Sequence, residues 1–262
     1  MTLEIAFNTF KEATRQKLLA AVALAAIALL AASRSLLKLD LGHDQLRFIF
    51  DFSSGALDFF GAIIAVVSTC SLFASEIENR TVITMLSKAI GAREFVVGKW
   101  AGAAMALAVF AAAIAAVSAA MLALTEASLA PLAAEGAVPP SVNYAGLAAY
   151  FALQWLKLCM CAAAAAVICC ASRSFLFSVS MSFLCVIAAS MASALAAMDS
   201  PENFAMRAAA FILPDFHFMN AAQEYVFGAL SLSGAACLAG YAAVYTAVCL
   251  CAGTLIFSRR DF

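Results

Sequence analysis

The sequence predicts an all-α, polytopic membrane protein, and three observations carry that expectation. Of its 262 residues, 66% are hydrophobic and 12% charged, with a mean hydropathy of +0.99, whereas a soluble domain is about half apolar and a quarter charged. The apolar residues fall in runs of about 20, the length that crosses a bilayer as a helix, and in hydrocarbon only a helix or a closed barrel satisfies its own backbone. Too little polar chain remains outside these runs for a separate globular core, so residues 1–262 read as a single transmembrane domain.

Six runs are long enough to span: about 18–38, 52–75, 96–124, 145–171, 175–198 and 234–257. An even number sets both termini on one side, and Lys and Arg decide which, because cytoplasmic flanks collect them. With the termini inside, the inner flanks hold Lys11, Arg15, Lys17, Arg80, Lys88, Arg93, Lys99, Arg173, Arg259 and Arg260, against Arg34, Lys38, Arg47 and Arg207 outside. The expected topology has both termini in the cytoplasm. A net charge of −1 with no basic cluster offers nothing to nucleic acid.

Residues 1–17 precede the first run and are patterned. Leu3, Phe7, Phe10 and Thr14 share one helical face while Glu4, Lys11 and Arg15 fall elsewhere, which predicts an amphipathic helix lying at the interface. The alternative, a signal peptide with an apolar core at 18–33 and Ala31-Ala32-Ser33 as cleavage site, needs an unusually long leading segment. The third run is almost an alanine ridge, with Gly98 and Gly102 forming a GxxxG step at its inner end, and small residues are what let helices pack closely in lipid.

Two outer segments interrupt the runs. Residues 125–143 contain Pro131, Pro139 and Pro140 and read as an irregular loop. Residues 199–233 hold two short apolar pieces divided by Pro214, with Gln223 and Glu224 in the second; neither piece is long enough to span, so a re-entrant helical hairpin before the last run is expected.

Function is most legible in a charged island of about 25 residues between the second and third runs, SEIENRTVITMLSKAIGAREFVVGKWAG. From Val82, the residues Met85, Leu86, Ala89 and Ile90 recur at helical spacing. The prediction is a short amphipathic helix over about 81–92. The segment Glu76-x-Glu78-Asn79-Arg80-Thr81, followed by Leu86-Ser87-Lys88, Arg93-Glu94-Phe95 and Gly98-Lys99, closely resembles the cytoplasmic loop between the second and third spans of type-2 ATP-binding-cassette (ABC) permeases. The family pattern there is approximately E-x-E-x-G-T, L-L-x-x-P, S/T-R, G-K. Arg80 stands where many members have Gly, and Ala89 where Pro is usual.

The resemblance implies that this island is a coupling helix docking in a groove of a separate ATPase subunit. The coupling contacts it implies are Glu76, Glu78, Arg80, Thr81, Met85, Leu86, Lys88 and Arg93. It also implies ATPase subunits and a second permease copy or homologue as partners, in a bacterial inner membrane. ATP and Mg²⁺ would be held by the ATPase, and no cofactor is expected on this chain. The nearest match to a phosphate-binding loop, Gly91 to Trp100, is too long by two residues and has Trp100 in place of the Mg²⁺-binding Ser or Thr.

Within the runs, Lys157 lies near the middle of the fourth, close to Gln154. An ionisable group at that depth costs a few kcal/mol unless it faces an interior, water or a partner. Gln154 and Lys157 are therefore candidates for a translocation pathway; the plainer reading pairs Lys157 within the bundle, with Asp58 or Glu76. The nine cysteines all fall inside the runs and read as small buried hydrophobes. The CMC at 159–161 and CLC at 249–251 make poor metal sites, because residues two apart on a helix point in different directions. His217 stands alone in the outer segment.

No hydrolase signature such as HExxH or GxSxG is present, so the chain is not expected to be an enzyme. The function expected is that of a permease subunit of an ABC exporter. The alternatives are an ATPase-free secondary transporter or channel, and a mechanotransmitter that uses the same coupling to act on a periplasmic protein.

Overall fold

A computed structural model describes residues 2–36, 45–78, 91–133, 142–172, 174–191 and 213–259, and among these no strand occurs. Helices account for nearly all of the described chain. They are α1 (Thr2–Thr14), α2 (Lys17–Leu36), α3 (Gln45–Glu78), α4 (Ala92–Ala133), α5 (Tyr144–Ala171), α6 (Phe175–Ser190), the short α7 (Phe216–Asn220) and α8 (Glu224–Phe227) joined by a 3-10 turn at Ala221–Gln223, and α9 (Leu232–Ser258). Four of them, α3, α4, α5 and α9, are long and apolar enough to cross a membrane. The chain is thus a multi-pass helical membrane protein. The apolar stretches Ala20–Ala32 of α2 and Phe175–Ser190 of α6 are shorter.

Several helices exceed the apolar runs that announce them. α3 begins at Gln45 and runs 34 residues; α4 runs 42 residues to Ala133. At 1.5 Å per residue these are about 50 and 60 Å long, well beyond a hydrocarbon core of about 30 Å. Charged residues therefore ride on helix ends: Arg47 and Asp51 at the start of α3, Arg93 and Glu94 at the start of α4. The expectation of an irregular loop from Thr125 is corrected for its first nine residues. Pro131 falls in the last turn of α4, and the helix ends two residues after it. Upstream, the Thr125 hydroxyl donates to the Met121 carbonyl and Ser128 to Thr125, at 2.9 and 2.7 Å.

α5 is the centre of the bundle, packing against α3, α4, α6, α7, α8 and α9. Its contact with α4 is held by two reciprocal indole bonds. Trp100 of α4 donates to the Cys159 carbonyl of α5 at 3.1 Å, and Trp155 of α5 donates to the Ala104 carbonyl of α4 at 3.0 Å. A buried indole N–H requires such a partner. On the α3 side, a Cβ added at Gly61 would stand 2.7 Å from Leu158, so the glycine is what permits the approach.

The bundle has two distinct ends. At one, α1 lies across the start of α4: a Cβ at Gly98 would meet Ile5 at 2.8 Å and one at Gly102 would meet Thr9 at 2.5 Å. The GxxxG step thus receives the N-terminal helix. The face of α1 turned inward is Ala6, Thr9 and Ala13, while Leu3 and Phe7 stay exposed. The glycine step thus takes Ile5 at Gly98 and Thr9 at Gly102, and the larger Leu3 and Phe7 are left outside it. Polar bonds fix the dock. Glu12 pairs with the buried Lys99 at 3.5 Å and accepts from Ser75 at 3.3 Å, and Gln16 donates to Ser71 at 2.7 Å.

At the opposite end, residues 213–231 fold over the start of α5. Asn143 caps α5 by accepting from Gly146 N, donates its own N–H to the Val226 carbonyl at 2.9 Å and its side-chain amide to Gly228 at 3.3 Å. Asp215 caps α7 through His217 N and Phe218 N. Of the hairpin expected over 199–233, the part after Pro214 forms α7, α8 and their turn, and most of the piece before it lies outside the described residues.

Candidate functional site

The 28 residues of α5 place Lys157 about 20 Å from either end at 1.5 Å per residue, the middle of a bilayer span. A lone ammonium there would cost a few kcal/mol. It is not alone: its Nζ lies 2.7 Å from Asp58 Oδ1 on α3 and donates to Asn220 Oδ1 on α7 at 3.0 Å. The partner is Asp58, one of the two acids considered for it, and the side chain of Glu76 lies outside what is described. Gln154, one turn before Lys157 and fully buried, reaches the same Asn220 oxygen at 3.5 Å, and its own carbonyl oxygen is buried with no hydrogen-bond partner among the described residues.

The cluster continues toward the α8 end of the bundle. Tyr150 hydrogen-bonds Ser54 of α3, and Gln223 donates to the Ser54 hydroxyl at 3.4 Å. Residues 54 and 58 of α3, and 150, 154 and 157 of α5, follow helical three- and four-residue steps. One polar stripe on each helix therefore faces the other, and the α7–α8 segment closes over both through Asn220 and Gln223.

Two cavities flank α7. One, of about 360 Å³, lies between α3, α5, α6 and α7; its polar lining is Asp58, Lys157, Asn220, His217 and Ser190, and its apolar lining includes Phe59, Ile63, Phe183 and Phe216. The other, of about 520 Å³, is bounded by Arg47, Asp51, Gln223, Glu224 and Phe227. His217 and Asn220 line both. α7 is thus a partition one helix thick between a charged vestibule at the bundle end and a chamber at mid-membrane depth. Lys157 is only 6% exposed against 33% for Asp58, so the chamber meets the carboxylate more than the ammonium.

Of the candidate residues read from sequence, the structure brings Gln154 and Lys157 together on one oxygen. Glu76 and Glu78 end α3, with their side chains undescribed; Arg80, Thr81, Met85, Leu86 and Lys88, and most of the expected helix over 81–92, lie outside the described residues. Arg93 is exposed in the first turn of α4. Asn220, Ser54 and Tyr150 were not foreseen as members. For Ser54 and Tyr150 the signal was weak but present, each being a hydrogen-bonding side chain in an apolar run; Asn220 lies among other polar residues and carried none. His217 lines both cavities rather than standing apart.

A sulfur-rich contact lies toward the α1 end. The Cys169 thiol of α5 and Cys70 thiol of α3 are 3.3 Å apart, with the Ser182 hydroxyl of α6 3.9 Å from Cys70. All nine cysteines are free thiols. No protein-family model matches the chain, and no curated protein sequence matches it either.

Proposed function

We propose that the chain is the permease subunit of an ABC exporter in a bacterial inner membrane, with six spans and both termini in the cytoplasm. It would pair with a second permease copy or homologue and be driven by separate ATPase subunits that hold the ATP and Mg²⁺. The observation that carries the proposal is the charged island of residues 76–99, which resembles the coupling loop of type-2 ABC permeases. The surroundings of that island support the reading. It joins α3 to α4 at the end of the bundle where α1 is docked, and the Glu12–Lys99 pair ties α1 to the first turns of α4. A displacement of the island would therefore act on α1, α3 and α4 together.

The vestibule, α7 and the chamber form a series of compartments that a transport cycle could open in turn. Only a ligand or nucleotide that binds two states differently can drive such a cycle. Asn220 holds the partition to Lys157 and Gln154, so these residues would be the latch of the pathway rather than a bare anion site.

The test is co-purification with ATPase candidates of the source organism and comparison of ATP turnover between wild type and Glu78→Ala/Arg80→Ala. A stable complex whose turnover collapses or uncouples in the double variant supports the proposal. Failure to associate with any ATPase in mild detergent or nanodiscs overturns it. One observation favours a second reading, an ATPase-free transporter: the Asp58–Lys157 pair sits at a depth where ionisable groups mark substrate or ion pathways. That reading takes the lead if association fails and Lys157 variants still abolish transport.

A further inference from the structure

We propose that the chamber between α3, α5, α6 and α7 binds a single-chain amphiphile with a net-neutral, hydrogen-bonding headgroup, its head beside α7 and its chain directed toward the α1 end. The inference names a substrate class for the pathway proposed above and rests on that reading for transport, though not for binding.

Helix direction supplies the first argument. α3 and α5 run away from the α7 end, and on them Asp58 and Lys157 precede Ala62, Ile63 and Cys161 by about a turn. α6 follows α5 after a three-residue turn and runs back, so Phe183 lies deeper and Ser190 nearer α7, about 10 Å apart at 1.5 Å per residue. His217 and Asn220 come from α7 itself. The chamber is therefore mixed beside α7, where Phe216, Phe59 and Ile187 stand among the polar groups, and wholly apolar below, and an amphiphile with its head toward α7 carries the same order of polar and apolar parts.

The mouth is lateral. Phe59 of α3 is 64% exposed and Ile187 of α6 56% exposed, and both line the chamber, so it opens between two apolar helix faces at bilayer depth. A molecule already dissolved in the lipid reaches it without crossing water.

Charge selects the head. Asp58 and Lys157 compensate one another at 2.7 Å, and an ionic head would leave an uncompensated charge in a poorly solvated place. What remains on offer is hydrogen bonding: the part-exposed carboxylate, the His217 imidazole and the Ser190 hydroxyl. Size selects one chain, because about 360 Å³ lies near the small end of ligand pockets of roughly 300–1,000 Å³. The groove between α4 and α5 makes the contrast. It is of similar volume but lined by alanines with Phe151 and Trp155, so it has nothing to orient a headgroup.

The test uses the full-length protein in nanodiscs, so that no detergent competes, with a single-chain alkyl glucoside carrying a photoactivatable diazirine at mid-chain. The expected result is saturable labelling confined to residues 58–63 and 183–190, reduced at least tenfold by Ala62→Trp, which fills the apolar half. Ile187→Trp narrows the mouth from an exposed position and gives the same loss should Ala62→Trp fail to fold. An uncharged alkyl maltoside should displace the probe at least tenfold better than an alkyl phosphate or an alkyltrimethylammonium of equal chain length. Non-saturable labelling, labelling spread around the bundle, or stronger displacement by either ion overturns the inference. So does absence of labelling together with disulfide crosslinking of Ile187→Cys between two copies, which would make the mouth an interface. ATP turnover of the ATPase complex with and without the amphiphile is read separately. Saturable labelling without any ATPase association keeps the site and removes the ABC reading; stimulated turnover without labelling does the reverse.

Discussion

α5 and α9 are nearly the same helix by composition, 28 and 27 residues with the same mean hydropathy, yet 72% of the apolar window of α5 is buried and only 17% of that of α9. α5 carries Tyr150, Gln154 and Lys157, donates through Trp155 and accepts at Cys159 from α4, whereas α9 presents Val244, Val248 and Leu255 outward at more than half exposure. In a soluble protein such different fates would be written in the hydrophobic pattern. In a bilayer both environments are apolar, so hydropathy does not separate protein-facing from lipid-facing helices. What separates them is the placement of the few groups that lipid cannot satisfy.

The largest expected effect is on those groups. Lys157→Met removes the counterion of Asp58 and should destabilise clearly, though by less than the about 3–5 kcal/mol of a fully buried pair, because Asp58 is one-third exposed to the chamber. Asp58→Asn/Lys157→Met together should recover most of it. On α9 the sign reverses, and Val248→Lys, which adds a charge facing lipid, should cost about 2.5–3.5 kcal/mol of insertion. Thermal unfolding in one detergent and a membrane-insertion assay read the two. A Lys157→Met protein as stable as wild type would break the comparison.

Glycine substitutions sharpen it. A Cβ at Gly146 of α5 would collide with the Tyr225 carbonyl of α8, while one at Gly240 of α9 meets nothing within 4 Å. Gly146→Ala should destabilise by about 1–3 kcal/mol, the range for overpacking, and Gly240→Ala should stay within about 0.5 kcal/mol of wild type. Gly102→Val should release α1 from α4, at a similar cost of about 1–3 kcal/mol; faster amide exchange across residues 2–14 than in wild type would show it.

The smallest contrast is a single hydrogen bond. Trp155→Phe loses the bond to Ala104 and should cost about 0.5–1.5 kcal/mol. Thr254→Val on α9 loses only a bond to its own helix, at the Cys251 carbonyl, and its unfolding midpoint should not move measurably.

Much of the framework was legible. The apolar runs announced α3, α4, α5 and α9, the 1–17 pattern announced α1, and the depth of Lys157 announced a buried partner. Helix ends were less legible, because polar residues such as Arg47 and Thr125 continue a helix once it leaves the hydrocarbon. The site was half legible. Lys157 and Gln154 betray themselves by being polar in an apolar run, whereas Asn220 sits in a segment broken by Pro214, where polar residues are unremarkable. The two glycines at 98 and 102 declared a close contact without declaring that α1 would fill it.

That this is a helical multi-pass membrane protein follows from its apolar runs, because a backbone in hydrocarbon must bond to itself and runs of bilayer length leave it little other choice. The same runs also mark which residues could not be left facing lipid. That Lys157 pairs with Asp58 and bonds to Asn220, that α7 stands between a vestibule and a chamber, and that α5 is the core while α9 is the rim, came from the packing of the helices. Those outcomes depend on which helices come together, and between helices in lipid that choice is made by close packing at small residues and by a few polar contacts, neither of which leaves a periodic mark on the chain.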